Sequence, residues 1–470
     1  MTRALSRLLV AGAALGALSA CNLAPAYHVP TAPIAAGYKA DPGWVESRPA
    51  AADSAAAKGA WWQLFGDAQL NALAERVAVS NQNVAAYRAA YAQASALLRQ
   101  NRAALLPSVG LTGTSQQAGS MNRAAANGTQ SLSAAASWEV DLWGRLGNTV
   151  SQAHAQAQAS AADLANATLS AHGTLVSTYL QLRELDAQSA MLATTIADYR
   201  RSLAIARNQF AAGTVSSADV DTAQTNLSNA EATARDLVRQ RTAAEDAIAV
   251  LVGENPSSFH IAPAEWQPQV PDVPAALPAE ILQRRPDIAA AERAVAAANA
   301  NIGIQRAAFF PSLTLSADTG SQAARFADLF SAATSVWSLG ATSALTLLDF
   351  GARNAKVAGA RAAYDQAVAQ YRQTVLTAFQ QVEDTLAATQ AYAAENAHYR
   401  IADAAATRAA KVALNSYQAG TADYTTVTTA QASAYGAHVN WLQSTLARQT
   451  AAVNLIVAIG GHWQAAPAPR

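Results

Sequence analysis

From Leu146 to Ala211 the chain contains no proline, and glycine only at Gly147 and Gly173. One continuous helix over that stretch would be about 100 Å long. Leu175, Leu182, Ile196 and Leu203 fall on a seven-residue spacing, and Leu185, Leu192 and Tyr199 fall on a parallel one offset by three places, which describes a coiled-coil seam. A second such stretch carries Tyr364, Val368, Tyr371, Val375, Phe379, Val382 and Leu386. Both run into an Ala-Gly-Thr string, Ala212-Gly213-Thr214 and Ala419-Gly420-Thr421, where glycine can take the left-handed conformation that ends a helix.

Ahead of each long helix the period changes from seven to two. A first helix is expected from about Asp67 to Leu105, stopped by Pro107. Val109 and Leu111 then begin an alternation, and after the turn-rich stretch Gly119 to Gly128 the return strand carries Leu132, Ala134, Ala136, Trp138, Val140 and Leu142. In the second half Leu313, Leu315 and Ala317 lead to a loop near Arg325, and Trp337, Leu339, Ala341, Leu345 and Leu347 return. Two hairpins, about 108–142 and 312–348, are predicted. Alternating strands suit a barrel wall with lipid on one side and water on the other, with Trp138, Trp143 and Trp337 as its interfacial girdle; a soluble sandwich would alternate in the same way. Four strands cannot close a barrel, so that wall needs partner chains.

The repetition is a duplication. Arg102-Ala-Ala-Leu-Leu-Pro107-Ser108 recurs as Arg306-Ala-Ala-Phe-Phe-Pro311-Ser312 at an offset of 204, whereas Asn208-Gln-Phe210-Ala-Ala-Gly213-Thr214 recurs as Asn415-Ser-Tyr417-Gln-Ala-Gly420-Thr421 at 207. The expected organisation is a signal peptide (1–20), a tether (21–60), a first repeat (61–260), a linker (261–278), a second repeat (279–463) and a tail (464–470).

The N-terminus changes the picture from a scaffold to an exported protein. Arg3 and Arg7, an apolar run from Leu8 to Leu18 and small residues make a secretory signal peptide. The only cysteine, Cys21, follows Leu18-Ser19-Ala20 and resembles the acylated cysteine of a lipobox; a lone exported thiol has no disulfide partner. From Pro25 to Lys58 the composition is that of an extended tether. With 32 basic and 32 acidic residues there is no polycationic surface to favour nucleic acid. No segment after Cys21 has 18 consecutive apolar residues, so any membrane crossing must be made by strands. The seven histidines are scattered without ligand spacing, and no Gly-x-Ser-x-Gly elbow, phosphate-binding glycine loop or His-Glu-x-x-His occurs. No catalytic residue, metal site or cofactor is predicted, and the chain does not read as an enzyme.

Two further blocks carry a resemblance: Trp61-Trp62-Gln-Leu-Phe65-Gly-Asp67-Ala-Gln-Leu70, and Leu277-Pro278-Ala-Glu-Ile281-Leu282-Gln-Arg284-Arg285-Pro286-Asp287-Ile288. They resemble signatures of the outer membrane factors of tripartite efflux and secretion systems (TolC- and OprM-like), especially the NodT-type lipoprotein branch. Physically, Pro286 fits the first position of a helix and Asp287 its positive end. Arg284 and Arg285 are candidates for pairing with acids of a neighbouring protomer, or for solvated charge.

The resemblance implies a mixed α/β membrane protein. Each protomer of a homotrimer adds four strands to a twelve-stranded outer-membrane β-barrel, continuous with a periplasmic α-helical barrel. It also implies diacylglycerol and an N-acyl chain on Cys21, and outer-membrane sorting because Asn22 follows. The expected function is a passive exit duct for small toxic molecules, opened when a periplasmic adaptor and an inner-membrane, RND-type transporter dock. A duct for type I protein secretion and a non-conducting lipid-anchored scaffold are the alternatives. Gly213, Thr214, Gly420 and Thr421 would meet the adaptor at the periplasmic tip, and Asp219, Asp221 and Asp423 are candidates for an acidic aperture. The family's usual glycine-acid-Tyr-Leu is here Gly420-Thr-Ala-Asp423-Tyr424, so the acid is displaced. The three methionines form no methionine-rich metal path.

Overall fold

The computed structural model describes residues 22–33, 38–39, 59–118, 127–271, 273 and 284–461. Cys21, the signal peptide and the C-terminal tail lie outside the described residues. In chain order the elements are α1 (Ala68–Ser80), α2 (Gln82–Ala103), β1 (Ser108–Ala118), β2 (Asn127–Val140), α3 (Arg145–Ala211), α4 (Ser217–Leu251), α5 (Pro286–Ala307), β3 (Ser312–Ala323), β4 (Ser335–Ala344), α6 (Ala352–Gln418) and α7 (Tyr424–Ala458).

The duplication is visible in element lengths. α2 and α5 have 22 residues each, α3 and α6 have 67, and α4 and α7 have 35. The offset is 204 through the strands and 207 from the start of α3 and α6 onward, so the slip lies in the link from strand to long helix. That link is residues 141–144 in the first half and 345–351 in the second. The longer link presents Leu347, Leu348 and Phe350 to the surface, so Leu345 and Leu347 belong to it and not to the strand, which ends at Ala344.

The expected single helix from Asp67 to Leu105 is broken at Asn81, whose backbone is extended between α1 and α2. Its side chain accepts from Val84 N (3.0 Å) and donates to Leu251 O (2.7 Å). One buried amide thus starts α2 and fixes the end of α4.

The chain divides into two compact units. The first takes in residues up to Ala32, Ala89–Ala161 and Ala289–Thr374, and holds the four strands as one antiparallel sheet of order β1-β2-β3-β4. In this unit the described part of the expected tether is not loose. Asn148 donates to Asn22 Oδ1 (3.0 Å), Asn299 to Pro25 O (2.9 Å), Arg306 to Leu23 O (3.2 Å) and Arg372 to Thr31 O (3.0 Å), while Tyr27 donates to Glu292. Three of these bonds satisfy backbone carbonyls, of Leu23, Pro25 and Thr31, that composition alone cannot show to be engaged.

The second unit takes in Pro33–Arg88, Ala162–Ile288 and Val375–Arg470. Its core contains the predicted seam: Leu175, Leu182, Leu185, Leu192, Ile196, Tyr199 and Leu203 are all buried. In α6, Val375, Val382 and Leu386 are buried here, as is Tyr371 in the first unit, whereas Tyr364, Val368 and Phe379 are half-buried. Trp61, Trp62 and Phe65 form a short 3-10 turn sealed into the core, and Trp62 lies over the His172 ring (4.3 Å), whose Nε2 donates to Ala74 O (3.0 Å). Burial holds the His172 imidazole below its usual range, the backbone bond only partly opposing it, so it packs as a neutral ring.

The expected linker 261–278 is not a spacer over its described part. Arg241 donates to Ile261 O (2.6 Å), Arg183 to Ala262 O (3.0 Å), Ala264 N to Asp186 (3.3 Å), and Gln449 to Gln269 O (2.8 Å). The buried Arg183 and Asp186 of α3, the half-buried Arg241 of α4 and Gln449 of α7 hold it in place.

Candidate channel wall and hairpin tips

The sheet register sorts every strand residue onto one of two faces. Val109, Ala136, Ala317 and Leu339 stand in one cross-strand row, and Leu111, Ala134, Thr319 and Trp337 in another, with Trp138, Leu315 and Ala341 beside them. Across the sheet the opposing rows are Ser108, Ser137, Ser316 and Gly340; then Gly110, Ala135, Asp318 and Ser338; then Thr112, Ser133, Gly320 and Val336. One face is therefore apolar and the other is lined chiefly by serine, threonine, glycine and two acids. On β2 the apolar band runs from Val140 to Leu132, roughly 26 Å at the extended rise. Beyond it Gln130 and Ser115 take over on the same face.

A solvated sheet has no use for Trp337 and Leu339 at 81% and 78% exposure. Strands of 10 to 14 residues are long enough to cross a bilayer, which takes about 9–11. The outer edges of β1 and β4 have no partner strand among the described residues. No helix among them is long and apolar enough to cross a membrane. Trp138 and Trp143 lie at the helix end of the strands, with indole N–H groups donating to Leu105 O (3.0 Å) and Pro311 O (2.7 Å). Trp337 stands toward the other end.

In the second unit the two Ala-Gly-Thr turns are built alike. Thr214 N donates to Gln209 O (2.9 Å) and Gly213 N to Phe210 O (2.9 Å); Thr421 N donates to Ser416 O (2.9 Å) and Gly420 N to Tyr417 O (3.0 Å). This is the paired closure of a Schellman motif, with glycine φ at 72° and 73°. Each threonine hydroxyl repeats its own amide's bond, to Gln209 O and Ser416 O. All four turn residues are exposed.

The three candidate acids are not equivalent. Asp423 is the N-cap of α7 and accepts from Thr426 N and Oγ1, both at 2.7 Å. At the offset of 207 its counterpart is Ser216, the N-cap of α4, and the counterpart of Asp219 is Thr426. Asp219 closes a capping box by accepting from Ser216 N and Oγ (both 3.1 Å). The two hairpins use one capping pair with acid and hydroxyl exchanged. Asp221 is exposed just past the first turn of α4, with no part in the cap. Thr426's hydroxyl and then its amide hold the Asp423 carboxyl below the usual carboxylate range.

The Arg-Arg-Pro-Asp signature is resolved within the chain. Pro286 begins α5, and Arg285 is buried, donating to both oxygens of Asp287 (3.0 and 2.7 Å), to Ala458 O (2.7 Å) and to Gln381 (2.8 Å). Arg285 is thus neither solvated nor free to pair with a neighbouring protomer; it ties the start of α5 to the end of α7. Arg284 is half-buried beside it.

Residues 73–254 and 277–461 each match the family model described as outer membrane efflux protein. The chain belongs to that family. The two matched segments follow the two halves. The probable efflux pump outer membrane protein TtgC of Pseudomonas putida KT2440 is 32% identical over 484 residues, 98% of this chain and 96% of that protein. The outer-membrane channel OprN superposes with a TM-score of 0.84 at 26% identity, over 94% of this chain and all of that one. The open-state MtrE outer-membrane channel of Neisseria gonorrhoeae superposes equally well (TM-score 0.84) at 25% identity, over 94% of this chain and 99% of that one. As an outer membrane efflux protein the chain is a transport component, and the apolar band and polar face acquire distinct roles.

The turns and the strands are legible in the sequence, whereas two other features are not. Asp318 is one, because only the strand register places it on the polar face. The ion network of Arg183, Asp186, Arg241 and Glu245 was hidden because Arg183-Glu-Leu-Asp186 reads as an ordinary charged patch beside the seam.

Proposed function

We propose that three copies of this chain close their four-stranded sheets into one twelve-stranded outer-membrane barrel, with the polar face lining a water-filled duct. The observation that carries this reading is the two-faced sheet with two open edges: edge groups in a bilayer need partners, and a closed ring supplies them. Substrate moves passively through the duct, powered by an inner-membrane, RND-type transporter and admitted when a periplasmic adaptor docks. Gly213, Thr214, Gly420 and Thr421 are the adaptor-contacting turns. Cargo consists of small toxic molecules, in keeping with relatives named for toluene and antibiotic efflux. Cys21 carries diacylglycerol and an N-acyl chain, and the bonded segment from Asn22 to Thr31 makes the anchor part of the first unit. The two halves, 61–260 and 279–463, are the evolutionary repeats.

Asp219, Asp221 and Asp423 form the acidic aperture, where threefold symmetry brings like charges together. Because Asp423 also caps α7, alanine would remove charge and cap at once, whereas asparagine keeps an acceptor for Thr426. Asp423→Asn is expected to raise closed-state leak conductance of the reconstituted oligomer while leaving its melting temperature near the parent's. An unchanged leak removes this residue from the gate. The pH sense follows from its depressed folded-state pKa: its stabilising contribution is present above the unfolded carboxylate range and lost as pH falls through the folded value.

A further inference from the structure

The strands carry two charges, Glu139 and Asp318, and both stand on the polar face. Glu139 is neutralised, accepting three bonds from the Arg145 guanidinium at 2.7 to 3.1 Å. Asp318 has no ion pair or side-chain hydrogen bond among the described residues. It sits mid-strand between Ala135 and Ser338, with Gly110 one strand further, so its row contains only small neutral neighbours that leave the carboxylate open to the space it faces. No strand residue supplies a compensating lysine or arginine.

We infer that Asp318 forms a lumenal ring of uncompensated negative charge in the barrel, favouring cationic over anionic solutes in the last stretch of the duct. The inference rests on the proposed closure of the sheet with its polar face inward. Three carboxylates around a wide aqueous lumen act through their potential and not by direct coordination. The preference must therefore follow salt, since the screening length is about 30 Å at about 0.01 M and about 3 Å at about 1 M. Glu139, already paired with Arg145, contributes little to that field. Cationic and anionic forms of one cargo would be passed unequally even with the aperture fully open.

A local reading of the potential separates this ring from the acids of the tip. In the full-length membrane-embedded oligomer, Ser338→Cys places a thiol in the Asp318 row, and its modification rates by cationic and anionic methanethiosulfonate reagents are compared. A chain without this substitution controls for Cys21. The cationic-to-anionic rate ratio is expected to fall roughly tenfold at about 0.01 M salt when Asp318→Asn is added, and by under about twofold at about 1 M. It should be restored by Asp318→Glu. A ratio indifferent to Asp318→Asn at low salt, with the thiol readily modified, would overturn the ring while leaving the barrel intact. If Ser338→Cys resists both reagents while Leu339→Cys reacts, the polar face is not the wet one, and the barrel reading falls together with the ring.

Discussion

Asp186→Ala is expected to destabilise the second unit by about 3–5 kcal/mol, as removal of one member of a buried ion pair does. The side chains of Asp186 and Arg183 are 3% and 5% exposed. Arg183 Nη1 donates to Asp186 Oδ2 (2.8 Å) and Arg241 Nε to Oδ1 (2.7 Å), while Arg183 also donates to Tyr179 Oη (3.0 Å) and Gln69 Oε1 (2.5 Å). Tyr179 in turn donates to Asp67, which caps α1. Without Asp186 the Arg183 guanidinium keeps only neutral acceptors inside the core; Arg241 still has Glu245 (3.0 Å). The control is Glu254→Ala, whose partner Arg76 is 38% exposed and whose loss should cost at most about 1 kcal/mol. Apparent melting temperatures of the detergent-solubilised variants check the contrast. Equal shifts would mean that the network is no more than surface charge.

Leu339→Arg is expected to abolish most of the assembled oligomer in the outer membrane, while Ser338→Arg, one residue away on the opposite face, is expected to preserve it. A lipid-facing arginine near the middle of a β-barrel costs about 2–4 kcal/mol per chain, and a symmetric assembly incurs that cost in every protomer. A lumenal arginine stays in water. Abundance of assembled oligomer in outer-membrane fractions is the readout. Loss from both substitutions, or from Ser338→Arg alone, would contradict the assignment of faces.

Much of this architecture was legible because two periodicities carry it. The seven-residue spacing from Leu175 to Leu203 needs no tertiary knowledge to be read as a seam, and those residues are buried. The alternation on β2 and β4 likewise gave the hairpins and the apolar side of each. Local rules were less sufficient where one residue serves a distant partner. Asn81 breaks a helix that composition would continue, because its amide is shared with Leu251 O, 170 residues away. Arg285 reads locally as available to another protomer because two of its acceptors, Ala458 O and Gln381, lie far along the chain.

The tip shows a different limit. Both turns were recognisable from Ala-Gly-Thr, and the nearby acids looked like one class. The offset of 207 shows instead that Asp423 replaces Ser216 and Thr426 replaces Asp219, so Asp219 and Asp423, unlike Asp221, have a local capping duty whatever they do in an aperture. Composition could not separate duty from function, because an acid beside a helix start satisfies orphan amides equally well in a scaffold and in a gate. The three-residue slip between the halves was also visible in sequence, but its place was not. It falls in the link carrying Leu347, Leu348 and Phe350, where the second half adds exposed apolar surface at the helix end of the strands.

The most direct test of the duct is single-channel recording of the purified, detergent-extracted oligomer in a planar bilayer, with its stoichiometry determined on the same preparation. The account predicts a trimer giving discrete, cation-preferring channels whose selectivity weakens as salt rises. A monomer that conducts nothing, or a trimer that never inserts, would contradict it and leave the paired helices as a lipid-anchored scaffold.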